Sequence, residues 1–145
     1  YPIKKDIIKE NSIAVHVRGG DMDAEKSYQY VEDSFYLKSI YEFKKKHNKI
    51  ILNVMTDDIN YTKKQFSRLL NVNDEIIFFN DYNLSDLEEF YLFKKHKNFI
   101  ISRSTFSWWA SYLSEEKDKD IILPKEWYRD KPTGKNRIAN NMRVM

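Results

Sequence analysis

The chain has 145 residues, 41% of them apolar and 15% aromatic, which suits one domain with a sizeable core and excludes a disordered chain. The net charge of +3 is mild, no apolar run nears the roughly 20 residues of a membrane span, and no secretory signal is visible. There is no cysteine, which excludes disulfides and thiolate metal sites and fits a reducing compartment.

The chain opens at Tyr1-Pro2 without a methionine, so we expect a piece of something longer whose 145 residues form a single domain. The first apolar, β-favouring run is Ile13 to Val17, and "HVRGGD" at its end holds His16, Arg18, Gly19, Gly20 and Asp21. A strand that needs only to stop can do so with one turn residue. A fixed cation, two backbone-permissive glycines and a carboxylate together suggest a ligand site. A helical segment follows, with Phe35, Ile40 and Phe43 as its apolar positions and Asp33-Ser34 as its expected cap.

Ile50 to Met55 is the second strand, ending in Thr56, Asp57 and Asp58, and Phe66, Leu69 and Leu70 mark the second helix. The third strand, Glu75 to Phe79, ends in Asn80 and Asp81. Ser85 followed by Glu88 is a capping-box pattern for a third helix with Leu87, Phe90, Tyr91 and Phe93. Asn98 to Ile101 is the fourth strand, ending in Ser102, Arg103, Ser104 and Thr105. The fourth helix carries Phe106, Trp108, Trp109, Tyr112 and Leu113, and the tryptophans are read as helix packing. Asp120 to Leu123 is the fifth strand, and the polar tail from about Pro124 is expected to be an irregular extension.

Runs apolar at consecutive positions suit strands covered on both faces, and strict strand–helix alternation predicts an α/β fold. The expectation is a Rossmann-like three-layer sandwich with a five-stranded parallel sheet. In such sheets ligands bind outside the carboxyl ends of the strands, where the unusual polar residues collect. A helix beginning after Ser102, Arg103, Ser104 and Thr105 offers backbone N–H groups, partial positive charge and hydroxyls to a phosphate, which Arg18 would also engage. One Ser or Thr would suffice for capping alone. Asp57-Asp58 reads either as a helix cap or as half of a Mg²⁺ site. His16, His47 and His96 show no metal-ligand spacing. The lysines at Lys44 to Lys46, Lys63-Lys64 and Lys94, Lys95 and Lys97 read as solvated helix faces, so no nucleic-acid partner is expected.

With these motifs in view, about Ser12 to Tyr128 resembles the C-terminal half of the family 11 glycosyltransferases, the α-1,2-fucosyltransferases. "HVRGGD" resembles the family's H-x-R-R-G-D, and "VMTDD" its F-S-D-D. "ISRSTFSWWASYL" is similar to S-N-S-S-F-S-W-W-A-A-W-L, and "LPKEWY" to P-K-x-W. The resemblance implies the C-terminal half of a GT-B fold, and inverting, metal-independent transfer of fucose from GDP-β-L-fucose to a glycan hydroxyl. It implies an N-terminal acceptor domain outside this chain, no cofactor, and little activity from this half alone. It also implies action at or near the cytoplasmic face of a membrane, with possible peripheral association, or in the Golgi lumen for a eukaryotic member. Carried over by position, Arg18 and Asp21 are the catalytic pair, Arg18 on the leaving diphosphate. His16, Gly19 and Gly20 shape the same loop. Asp57 and Asp58 lie near the nucleotide, Glu89 meets the purine edge, and Ser102, Arg103, Ser104, Thr105 and Phe106 surround the phosphates. Gly19 and Arg103 stand where the family pattern has arginine and asparagine, and Glu89 where it has aspartate. Arg103 would then replace the guanidinium missing at Gly19. The competing reading is a non-catalytic, flavodoxin-like nucleotide-binding or regulatory module.

Overall fold

The computed structural model describes residues 5–18, 31–128 and 131–145. Six parallel strands form one sheet: β1 (Ser12–Val17), β2 (Ile51–Thr56), β3 (Glu75–Phe78), β4 (Asn98–Ile100), β5 (Asp120–Leu123) and β8 (Met142–Val144). Their spatial order is β3-β2-β1-β4-β5-β8. The chain moves outward one way from β1, returns at β4 beside it, and moves outward the other way. That is the doubly wound order with its reversal between β1 and β4, and it differs from the flavodoxin-like order in which β2 is an edge strand.

Helices cover both faces. α1 (Asp33–Lys44) and α2 (Ile59–Phe66) pack on one side, where Phe35, Ile40, Phe43 and Phe66 meet Ile13, Val15 and Val17. α3 (Asp86–Lys94) and α4 (Thr105–Tyr112) pack on the other, where Leu92, Phe93 and Ala110 meet Ala14, Phe99 and Ile121. Every residue of β1 and β2 is buried, as a strand sandwiched between two helical layers requires.

The expected five-stranded sheet is corrected to six. The tail is not an irregular extension: after Pro124 it forms an antiparallel pair, β6 (Glu126–Tyr128) with β7 (Lys131–Pro132), then a 3₁₀ turn at Lys135–Arg137, then β8. Met142-Arg143-Val144 is too short and too mixed to stand out as an apolar run. Arg143 nevertheless fits because its guanidinium reaches Asp120 at 3.1 Å and Glu42 at 3.4 Å.

Three local expectations also change. The N-cap of α1 is Glu32 without a side-chain bond, while the Asp33 carboxylate accepts a hydrogen bond from the Tyr61 hydroxyl at 2.7 Å. α2 stops at Phe66, so Leu69 and Leu70 reach the core from the turn beyond it. α4 buries its small residues Ser107, Ala110 and Ser111; Trp108 packs against the core as expected, while Trp109, Tyr112 and Leu113 face outward, 43–49% exposed. Small side chains let the helix backbone lie close to the sheet, which bulky aromatics would prevent. The capping box at Ser85 and Glu88 forms as expected. Lys44, Lys45 and Lys46 pair with Asp74, Glu42 and Asp120, so this cluster is bound to carboxylates of its own fold.

Candidate active site

β1 delivers His16 and Arg18 to the carboxyl edge at the point where strand order reverses. His16 is 7% exposed; its Nδ1 hydrogen-bonds to the Ser102 hydroxyl at 2.8 Å, and its ring packs against Phe93 and Phe106. Burial first, and the Arg18 charge second, push its pKa down to about 3, so the imidazole is neutral. A neutral imidazole bonded to Ser102 joins the ends of β1 and β4. It does not supply a positive charge to a phosphate.

Arg18 is half-exposed, with its Nε 3.9 Å from an Asp57 carboxylate oxygen. An exposed pair at that distance is weak and screened, so the guanidinium is available to exchange a carboxylate for a phosphate at little cost. Asp58 is committed elsewhere: its carboxylate accepts the Tyr61 N–H at 3.0 Å and caps α2. The acidic pair therefore divides, with Asp57 facing Arg18 and Asp58 holding a helix.

Across the reversal, Ser104 is the N-cap of α4 but makes no side-chain bond to the helix's first turn. Thr105 begins the helix on an exposed position, and Ser102 and Ser104 are buried beside it. Among the described residues the first-turn N–H groups of α4 thus lack a hydroxyl cap, and a helix start of this kind, with Thr105 beside it, can take an anion. Phe106 packs edge-on against Phe90 with ring centroids 5.3 Å apart. Glu89, next to Phe90, is partly buried in the first half of α3. Burial, with a smaller contribution from Asp86, raises its pKa. Its carboxylate has no hydrogen-bond partner among the described residues.

Arg103 reaches from the end of β4 toward β6. Its Nε donates to the Glu126 carbonyl on β6, and it borders a cavity of about 270 Å³ with Val31, Phe35, Lys38, Pro124 and Met145. Gly19, Gly20 and Asp21 lie outside the described residues, so the proposed Gly19–Arg103 exchange rests on the Arg103 side alone. A larger cavity, about 540 Å³, lies at the amino edge of the sheet among Lys9, Lys46, Lys97 and Asp120, remote from these strand ends.

The sequence reading missed Tyr36. It lies on α1 outside every motif, yet its hydroxyl donates to the His16 carbonyl at 3.1 Å. A tyrosine at i+1 from a core phenylalanine carries no signal of that role. It also missed the buried network under α3, where His96 Nδ1 faces the Leu92 and Phe93 carbonyls. Nδ1 must therefore carry the proton, and Nε2 accepts from the Asn53 amide at 2.7 Å.

Residues 4–141 match the family described as Glycosyl transferase family 11. The chain belongs to glycosyltransferase family 11. Among curated proteins it is 30% identical over 128 residues to an alpha-1,2-colitosyltransferase of Escherichia coli, covering 85% of this chain and 43% of that protein. It is 29% identical over 135 residues to the O-antigen biosynthesis glycosyltransferase WbnK of Escherichia coli, covering 87% and 43%. The chain therefore spans under half the length of either relative. Among the described residues, no helix is long and apolar enough to cross a membrane.

Proposed function

We propose that this chain is the donor-binding part of an α-1,2-fucosyltransferase, taking GDP-β-L-fucose and passing fucose to a glycan hydroxyl with inversion and without a metal. The observation that carries the reading is the convergence at the strand reversal of a loosely held Arg18 and a helix start without its hydroxyl cap. Membership of family 11 and a relative named for α-1,2 transfer support it.

In this reading the α4 N-terminus and Thr105 hold the diphosphate, and Arg18 exchanges Asp57 for the β-phosphate. As the glycosidic bond to fucose breaks, negative charge grows on that phosphate, and a pre-placed guanidinium stabilises it. Glu89 and the Phe90–Phe106 pair take the purine. An unpartnered carboxylate suits the N–H groups of a guanine edge, whereas an adenine presents no such pair of donors there. Asp21 completes the catalytic pair on the same loop. The acceptor site belongs to an N-terminal domain outside this chain, and the whole enzyme works at the cytoplasmic face of a membrane.

The test is a calorimetric titration of GDP-fucose against GDP-mannose, UDP-sugars, GTP and a GDP-linked colitose, each with and without Mg²⁺. GDP-sugars are expected to bind without metal, with GDP-fucose tightest. Arg18→Ala is expected to weaken GDP-fucose roughly ten- to a hundredfold, the loss of a charge-assisted hydrogen bond, with partial recovery in Arg18→Lys. Wild-type affinity in Arg18→Ala would remove Arg18 from the donor site. Preference for the colitosyl donor would change the sugar while leaving the nucleotide assignment intact.

A further inference from the structure

A carbonyl near the end of β1 has a partner that is not a strand. Val15 of β1 pairs with Ile100 of β4, and β4 stops there. Had it continued in register, Ser102 would stand opposite Val17. A parallel partner at that position would engage the His16 carbonyl and the Arg18 N–H, which flank Val17. Ser102 does neither: its carbonyl accepts from the Ser104 N–H at 2.8 Å, and its hydroxyl goes to the His16 ring.

Tyr36 fills the place. Its hydroxyl donates to the His16 carbonyl at 3.1 Å, the carbonyl that a longer β4 would have met. One phenol thus takes over a carbonyl of β1 that a longer β4 would have paired, and β4 turns away after Ile100. The ring is held firmly for this purpose. It is 2% exposed and packs against Phe35 and Phe66, with centroids 5.2 and 5.7 Å away. Burial keeps the phenol protonated far above neutral pH, so the donor to His16 is permanent.

We propose that Tyr36 is a positioning residue for donor binding, fixing the backbone at Arg18 so that its guanidinium projects toward the diphosphate. The proposal rests on the reading of Arg18 as the β-phosphate contact. It extends that reading to a residue on a different element, outside every sequence motif.

Tyr36→Phe removes only the hydroxyl. In the intact protein, GDP is expected to bind three- to tenfold more weakly, the scale of one neutral hydrogen bond. Binding of GMP, which lacks the β-phosphate, is expected to stay unchanged, and Tyr36→Phe is expected to add nothing in an Arg18→Ala background. Backbone ¹⁵N relaxation gives a readout independent of nucleotide. In the wild type the Arg18 amide is expected to be as rigid as the amides of β1, and in Tyr36→Phe to become measurably more mobile. The proposal is overturned if GDP binds Tyr36→Phe as it binds wild type, if GDP and GMP weaken alike, or if the loss persists in full with Arg18→Ala. A mobile Arg18 amide in the wild type would overturn it even if the variant failed to fold. An Arg18→Ala protein with normal GDP affinity would instead defeat the donor-site reading itself.

Discussion

His16 and His96 are buried, neutral and built into hydrogen-bond networks, with pKa values pushed down to about 3 and about 4, chiefly by burial. In the unfolded chain both return to about 6.5. Between those values the unfolded state binds more protons than the folded one, so stability rises with pH there. The stabilisation is complete above the unfolded value and is lost as pH falls from about 6.5 toward 4. A tenfold difference in proton affinity between the two states corresponds to about 1.4 kcal/mol, so each histidine contributes on the order of a few kcal/mol. A calorimetric series from pH 7.5 to 5 is expected to show Tm falling, a window in which ordinary carboxylates hardly titrate. His96→Gln is expected to flatten part of that slope. A flat wild-type profile would contradict the neutral, buried assignment.

At the scale of elements, α4 sits close to the sheet because Ser107, Ala110 and Ser111 are all fully buried. Ala110→Leu forces extra volume into that contact, with an expected cost of about 1–3 kcal/mol, or a Tm lower by roughly 3–12 °C. Trp109→Ala, on the outward face, is expected to cost less than Ala110→Leu; the reverse order, by thermal melts, would mean the helix packs by its aromatics. This helix also shows where the sequence was legible and where it was not. Its start was readable, because Ser102 to Thr105 followed an apolar run. Its buried face was readable only at Trp108, because hydrophobic periodicity points to large side chains while the closest contact selects small ones. The same holds at β1: the apolar run announced a strand, and the density of polar residues announced the site. The Tyr36 link depends on where β4 stops, which no local pattern encodes. β8 escaped notice because three residues held by an ion pair to Asp120 carry no β signature of their own.

At the scale of the molecule, the six strands, both helical layers and two well-filled clusters form a unit with its own core. The 145-residue chain is therefore expected to fold by itself. It is expected to bind GDP and to show little acceptor-dependent transfer, since it spans 43% of the length of either relative. Placing two substrates against one another supplies much of an enzyme's rate, and in the proposed function half of that placement belongs to a domain outside this chain. A radiolabel transfer assay with the isolated chain checks this, and robust turnover would show that the acceptor site is already present.

The strand β8 has a consequence for how the polypeptide survives its own synthesis. β5 is an Ile-Ile-Leu strand with β4 on one side and β8 on the other. Met145 then joins on, donating its N–H to the Leu123 carbonyl at 3.0 Å and accepting from the Lys125 N–H at 3.3 Å. Residues 142–145 leave the ribosome after everything they cover. Until they dock, β5 shows a nascent chain's neighbours a bare row of peptide groups flanked by apolar side chains, a template for mispairing. Once docked, the new border is only three residues long and carries Arg143, a poor invitation to a further strand. A stretch made after β5 is thus the one that closes that edge of β5 to strangers.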